Sequence, residues 1–230
     1  MGGPLTRDQM AWRVARDIPD GAFVNLGIGM PEMVANHLPR DGQGDREIVF
    51  HCENGILGMG PLPEPGEEDY DLITAGKRPV TMIPGGAFFD SAESFAMIRG
   101  GHIDIAVLGA FQVSETGDLA NWSTDTPGAA PAVGGAMDLA AGAKRVFVIS
   151  NHMTKSGEPK IVKTCTYPLT GEKCVATMFS DLAVIDVTAT GLEVREMIDG
   201  LSFEDLQART GASLRLADGW TPLTAPEGLA

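Results

Sequence analysis

Cysteine is scarce in this chain. Cys52, Cys165 and Cys174 are its three cysteines, too few and too scattered for a disulfide framework, which points to a reducing cytoplasm. There is no Cys-x-x-Cys, and the four histidines (His37, His51, His102 and His152) include no pair at i, i+4, so no metal site is expected. Basic residues are also short, 17 against 31 acidic ones. The net charge of −14 excludes a nucleic-acid or anionic-membrane partner, either of which needs a positive face. No apolar run reaches the roughly 18 residues of a membrane span. The first residues carry no apolar stretch of the kind a secretory signal has, so none is expected. Linkers rich in serine or proline, low complexity and repeats are missing too. With 230 residues and 43% apolar content, the chain has material for one substantial core.

What the chain has in quantity is glycine. Its 29 glycines are not periodic but sit in clusters at the ends of apolar runs. That pattern implies many sharp strand-to-helix turns, some bringing backbone close to a ligand. Met10, Val14 and Ile18, spaced by four, predict a helix over 6–18, stopped by Pro19-Asp20-Gly21. A buried strand, 22–26, runs into Gly27-Ile28-Gly29-Met30-Pro31, and Pro31 suits the first turn of a helix that Leu38-Pro39-Arg40-Asp41-Gly42 closes. The dinucleotide fingerprint needs a third glycine where this chain has Glu32, so the match is incomplete. Strands follow at 47–51, 80–83, 103–110 and 144–150, the apolar run at 103–110 reading as a central parallel strand covered on both faces. Asp90 or Ser91 caps a helix to about residue 99. Near the end come a hairpin (182–187 with 192–197), a short helix over 203–209 and a loose tail. The expected fold is one three-layer α/β/α domain over 1–218. It has a mostly parallel sheet, antiparallel additions near the C-terminus, and a tail over 219–230.

The candidate functional stretch is Phe50-His51-Cys52-Glu53-Asn54-Gly55-Ile56-Leu57-Gly58. A strand leads straight into Glu53, which puts an acid on a tight loop at the carboxyl end of a sheet, where open α/β sheets bind their ligands. A polar turn is the plainer reading of Glu53-Asn54-Gly55. Gly134-Gly135 precede a helical stretch, so their N–H groups are unpaired donors of the kind that stabilise an oxyanion. Lys77, in a Gly-Lys-Arg loop, reads either as a solvated lysine or as a cation for a substrate carboxylate. Asn121-Trp122 reads as packing or as an amide beside the site.

The 50–58 stretch resembles the glutamate signature of the family I CoA-transferases, in which Ser-Glu-Asn-Gly is usual. Asn25-Leu26-Gly27-Ile28-Gly29, Gly117-Asp118-Leu119-Ala120-Asn121-Trp122, Gly134-Gly135-Ala136-Met137-Asp138-Leu139 and Pro168-Leu169-Thr170-Gly171 agree with the family as well. The resemblance runs in order over about residues 7–216. It implies a CoA-transferase fold and a B-type subunit of a 3-oxoacid transferase. Glu158-Pro159-Lys160 and Cys165-Thr166-Tyr167-Pro168 are most similar to the 3-oxoadipate branch. The acetoacetate branch usually continues Asn-Trp with Met-Ile-Pro-Gly-Lys, where this chain has Ser123-Thr124-Asp125-Thr126. The resemblance implies Glu53 as nucleophile, Gly135 and Ala136 as oxyanion donors, and Asn25, Asn54, Lys77, Asn121 and Gly134 around the substrate acid. It further implies ping-pong transfer from succinyl-CoA to a 3-oxo acid, no metal or redox cofactor, and an A subunit in an α2β2 assembly. An acetoacetate-specific transferase and an acyl-CoA hydrolase on the same scaffold are the alternatives. Cys52, where the family usually has Ser, departs from the pattern. It reads as a small buried residue whose thiol is a weak donor.

Overall fold

In a computed structural model the described residues are 3–38, 46–128, 131–226 and 228–229; the expected stop at Pro39 to Gly42 lies outside them. Helix α1 (Arg7–Ala15) opens the fold. Thr6 accepts the Gln9 backbone N–H while the Gln9 side chain accepts from the Thr6 N–H, a reciprocal cap that fixes the helix start. Strand β1 (Phe23–Leu26) then leads into a 3-10 helix, Met30–His37, in place of the expected α-helix. Strands β2 (Val49–Cys52), β3 (Ile56–Met59) and β4 (Met82–Phe88) follow with no helix between them. Next come α2 (Ser91–Arg99), capped by Asp90, and β5 (Ile105–Leu108). Short strands β6 (Gln112–Ser114) and β7 (Leu119–Ala120) precede α3 (Ala136–Gly142) and β8 (Arg145–Ile149). The chain finishes with β9 (Ile161–Val162), β10 (Val175–Phe179), β11 (Ala183–Thr188), β12 (Gly191–Ile198), α4 (Phe203–Ala208) and β13 (Leu214–Leu223).

Ten strands form one sheet in the order β13-β12-β11-β10-β8-β5-β1-β2-β3-β4. Its centre, β10-β8-β5-β1-β2, is parallel throughout. Every residue of β5 is buried, as are four of the five in β8, so these strands are covered on both faces as their unbroken apolar runs require. Arg13 of α1 reaches Glu196 of β12 and pairs with Asp17, tying the first helix to the far half of the sheet.

Four expectations need correction. Antiparallel strands flank both edges, because β2, β3 and β4 form a meander at one side as well as β11 and β12 at the other. Strand β4 passes through Pro84-Gly85-Gly86, where a strand end is expected. It is the outermost strand, and an edge tolerates the missing N–H of proline. The tail boundary at 218 falls inside β13, whose residues 221–223 pair with β12. A separate small sheet, β7-β6-β9, arises from the weakly patterned segment after β5, where no strand is expected.

Candidate active site

Since β10, β8, β5, β1 and β2 run parallel, their carboxyl ends share one edge of the sheet. Glu53 lies there, at the tip of the β2–β3 hairpin. His51 pairs with Leu57 and Cys52 with Ile56, leaving Glu53-Asn54-Gly55 as the connection. Gly55 makes this turn possible. Its φ is 115°, and a Cβ on it would lie 2.1 Å from the Phe89 carbonyl oxygen. Asn54 does not border the cavity and braces the hairpin instead, donating to the Ile73 carbonyl at 2.7 Å. Cys52 accepts the Ala75 N–H on its sulfur at 3.2 Å, and burial raises the pKa of its thiol. It therefore works as a buried acceptor and not as a reactive thiol.

The Glu53 carboxylate borders a cavity of about 500 Å³. Burial, and secondarily the charge of Asp138, raises its pKa above the ordinary carboxylate range, and no hydrogen bond opposes that shift. Asp138 is itself paired with Arg99 at 2.6 Å. Gly135 lies against the carboxylate: a Cβ there would stand 2.7 Å from Oε2 of Glu53. Gly134, in the left-handed region at φ 56°, turns the chain into that contact. The N–H of Ala136 donates to the Val133 carbonyl at 3.3 Å. Gly135, whose N–H has no acceptor among the described residues, is therefore the better candidate donor of the two.

Asn25, Asn121 and Gly134 line the same cavity. The Asn25 amide donates to Nδ1 of His51 at 3.1 Å, and Nε2 of His51 meets the Ser94 hydroxyl at 3.1 Å. Burial lowers the His51 pKa to about 4, so the ring is neutral at physiological pH and can accept from Asn25 while donating to Ser94. Asn121 is held at both ends, donating to the Gly109 carbonyl and accepting from Thr170. Lys77 is exposed and does not border the cavity; its backbone sits at φ 62°, rare for a residue with a side chain. The incomplete glycine fingerprint closes on itself, since Glu32 accepts the N–H of Gly29 at 3.3 Å.

Two groups at this edge carry no role in the sequence reading. His51 lies on β2, two residues before Glu53, and a polar residue inside an otherwise apolar strand is the signal that could have found it. Lys160 borders the cavity and donates to the Ala110 carbonyl and the Ser150 hydroxyl. It stands in the Glu158-Pro159-Lys160 stretch that carries part of the family resemblance, which is the signal that could have found it. Among the described residues no group of acidic, histidine or cysteine side chains could hold a metal, and no helix is long and apolar enough to cross a membrane.

The family model described as Coenzyme A transferase matches residues 7–209. The B subunit of the 3-oxoadipate CoA-transferase from Acinetobacter baylyi is 60% identical over 210 residues, covering 91% of this chain and 95% of that one. The B subunit of a probable succinyl-CoA:3-ketoacid coenzyme A transferase from Bacillus subtilis is 50% identical, covering 92% and 95%. Among solved structures, an acyl-CoA transferase from Escherichia coli O157:H7 superposes with a TM-score of 0.74 at 19% identity. The match covers 96% of this chain and 44% of that one, so it establishes fold alone. Glutaconate coenzyme A-transferase from Acidaminococcus fermentans superposes at 0.70 and 17% identity, over 97% and 90% of the two chains. A match over most of the length, with the acid-bearing hairpin in place, makes this chain a member of the Coenzyme A transferase family.

Proposed function

We propose that the chain is the B subunit of a two-chain CoA-transferase that moves CoA from succinyl-CoA to 3-oxoadipate through a thioester on Glu53. One observation carries the reading: a desolvated carboxylate with no hydrogen-bond partner among the described residues, at a hairpin tip, bordering a cavity beside a glycine that leaves no room for a Cβ. The 60% identity to the B subunit of a 3-oxoadipate CoA-transferase supports the substrate choice.

Transfer of CoA between acids without hydrolysis requires a nucleophile that is itself a carboxylate. A Glu53 oxygen attacks the thioester carbonyl, the C–S bond breaks, and a mixed anhydride forms with release of CoA thiolate. The thiolate then attacks the Glu53 carbonyl. The anhydride C–O bond breaks, the first acid leaves as its carboxylate, and CoA is held on Glu53. The second acid runs these steps backwards, which is covalent catalysis with ping-pong kinetics. Burial removes water from the carboxylate and strengthens it as a nucleophile. Each tetrahedral intermediate carries an oxyanion; the Gly135 N–H is the donor available beside it, and one such donor is worth about 3 kcal/mol. No step calls for a metal or redox cofactor.

The test is co-expression with an A subunit and assay of succinyl-CoA with 3-oxoadipate and, separately, acetoacetate. Transfer to 3-oxoadipate is expected to dominate. Borohydride after acyl-CoA should reduce the Glu53 thioester and abolish activity, and Glu53→Gln should lower transfer at least about 10³-fold. Release of free CoA without an acceptor acid would point to hydrolysis, and a preference for acetoacetate would move the chain to the other branch. Full activity after borohydride and in Glu53→Gln would overturn the mechanism.

A further inference from the structure

We infer that Lys160 is the specificity residue of this site, binding the carboxylate of a dicarboxylic substrate that does not react; the inference rests on the function proposed above. The cavity that Glu53 enters has two ends. Glu53 occupies the edge above β2, while the Lys160 ammonium is anchored beyond the ends of β5 and β8, donating to Ala110 at 3.2 Å and to Ser150 at 3.3 Å. Strands β2, β1 and β5 are consecutive neighbours, so about 10 Å of sheet separates the two ends. The side chains of Glu53 and Lys160 can share that span with a short diacid.

Lys160 is built to stay in place. Its own N–H donates to the His152 carbonyl, and its carbonyl accepts from Val113, so the backbone is held on both sides. Both acceptors of the ammonium are neutral, and among the described residues no carboxylate pairs with it. Asp181 influences it only from a distance, with one oxygen of that carboxylate taking the His152 N–H. A half-buried ammonium has three donors, and two are used here. The third, with the uncompensated charge, suits an anion entering the cavity. Burial lowers its pKa, which is the cost an arriving carboxylate would relieve. In a chain carrying −14, local cations are also what makes a dianionic substrate tolerable; the exposed Arg7 borders the cavity too, but Lys160 is the one whose ammonium is half-buried and anchored. Succinyl groups and 3-oxoadipate each keep one free carboxylate during transfer. A monoacid has none, so the ammonium discriminates by chemistry and not by size.

The experiment measures formation of the CoA adduct on Glu53, by intact mass of this chain, in the co-expressed two-subunit enzyme. Succinyl-CoA and butyryl-CoA are compared in wild type, Lys160→Met and Lys160→Arg. The expected result is a ten- to hundredfold fall, about the worth of one charged hydrogen bond, in the succinyl-to-butyryl rate ratio of Lys160→Met, with substantial recovery in Lys160→Arg. A ratio unchanged in Lys160→Met, or equal losses with both thioesters, overturns the inference. If Lys160→Met does not fold, the same ratio in Lys160→Gln decides by the same criterion. No adduct from either thioester in the wild-type enzyme overturns the underlying function and this inference with it.

Discussion

Two loops at the carboxyl edge of the sheet are built alike and used differently. Residues 73–79 and 153–159 each start and end on a β-bridge, Ile73 with Pro79 and Met153 with Pro159. In each, a threonine N–H donates to a carbonyl further along the loop: Thr74 to Arg78 and Thr154 to Glu158, both at 2.8 Å. The threonine hydroxyls accept the N–H of the same partners, at 3.2 and 3.0 Å. Both frames demand one residue in the left-handed region. The second loop supplies Gly157 at φ 87°, which costs nothing; the first supplies Lys77 at φ 62°, which costs about 1 kcal/mol. The first loop is also the one bonded to the Glu53 hairpin, through Asn54 and Cys52, while the second delivers Lys160. Strain is thus kept on the loop beside the nucleophile and absent from the loop at the recognition end. That is an argument for a use of the Lys77 side chain that its exposed position alone does not make.

The sharpest way to separate the two ends is Gly135→Ala. Its Cβ would strike the Glu53 carboxylate, so transfer should fall about 10²-fold with succinyl-CoA and butyryl-CoA alike, leaving their ratio unchanged. A changed ratio would mean that chemistry and recognition are not divided as argued. Exchanging the left-handed residues comes next. Lys77→Gly should raise stability in urea by about 1 kcal/mol and lower transfer about tenfold, whereas Gly157→Lys should lose about 1 kcal/mol and leave transfer intact. Equal behaviour of the two variants would erase the distinction between the loops.

A last comparison concerns the buried histidines behind each region, His51 behind the first and His152 behind the second. Burial holds both near pKa 4, against 6.5 when exposed. The unfolded chain therefore binds more protons between those values, so stability should fall as pH drops from about 6.5 to about 4, by at most about 1.4 kcal/mol per pH unit for each histidine. Denaturant titrations across that window should show the slope, and His51→Gln should remove its own share. An unaltered slope in that variant would place His51 outside the acid sensitivity.

Much of the fold was legible because it followed from one-dimensional pattern. The apolar runs at β5 and β8, the capping residue Asp90, and the hairpin of β11 and β12 all appear where local rules put them. The meander β2–β4 and the small β7-β6-β9 sheet did not, since their strands are short or interrupted by glycine or proline, and only partner strands make them strands. In the site, Glu53 stood out because it directly follows a strand. The Asn25–His51–Ser94 chain and Lys160 did not, as their partners lie 26 or more and 10 or more residues away in sequence.

By itself the sequence determined the class of fold and the loop that carries the acid, properties that composition and short-range spacing control. Tertiary structure alone decided how closely Gly135 approaches the carboxylate, which donors are already taken, and which cations border the cavity. Those are questions of distance between segments remote in the chain. The parallel order of the sheet answers them by bringing the ends of β1, β2, β5 and β8 to one edge.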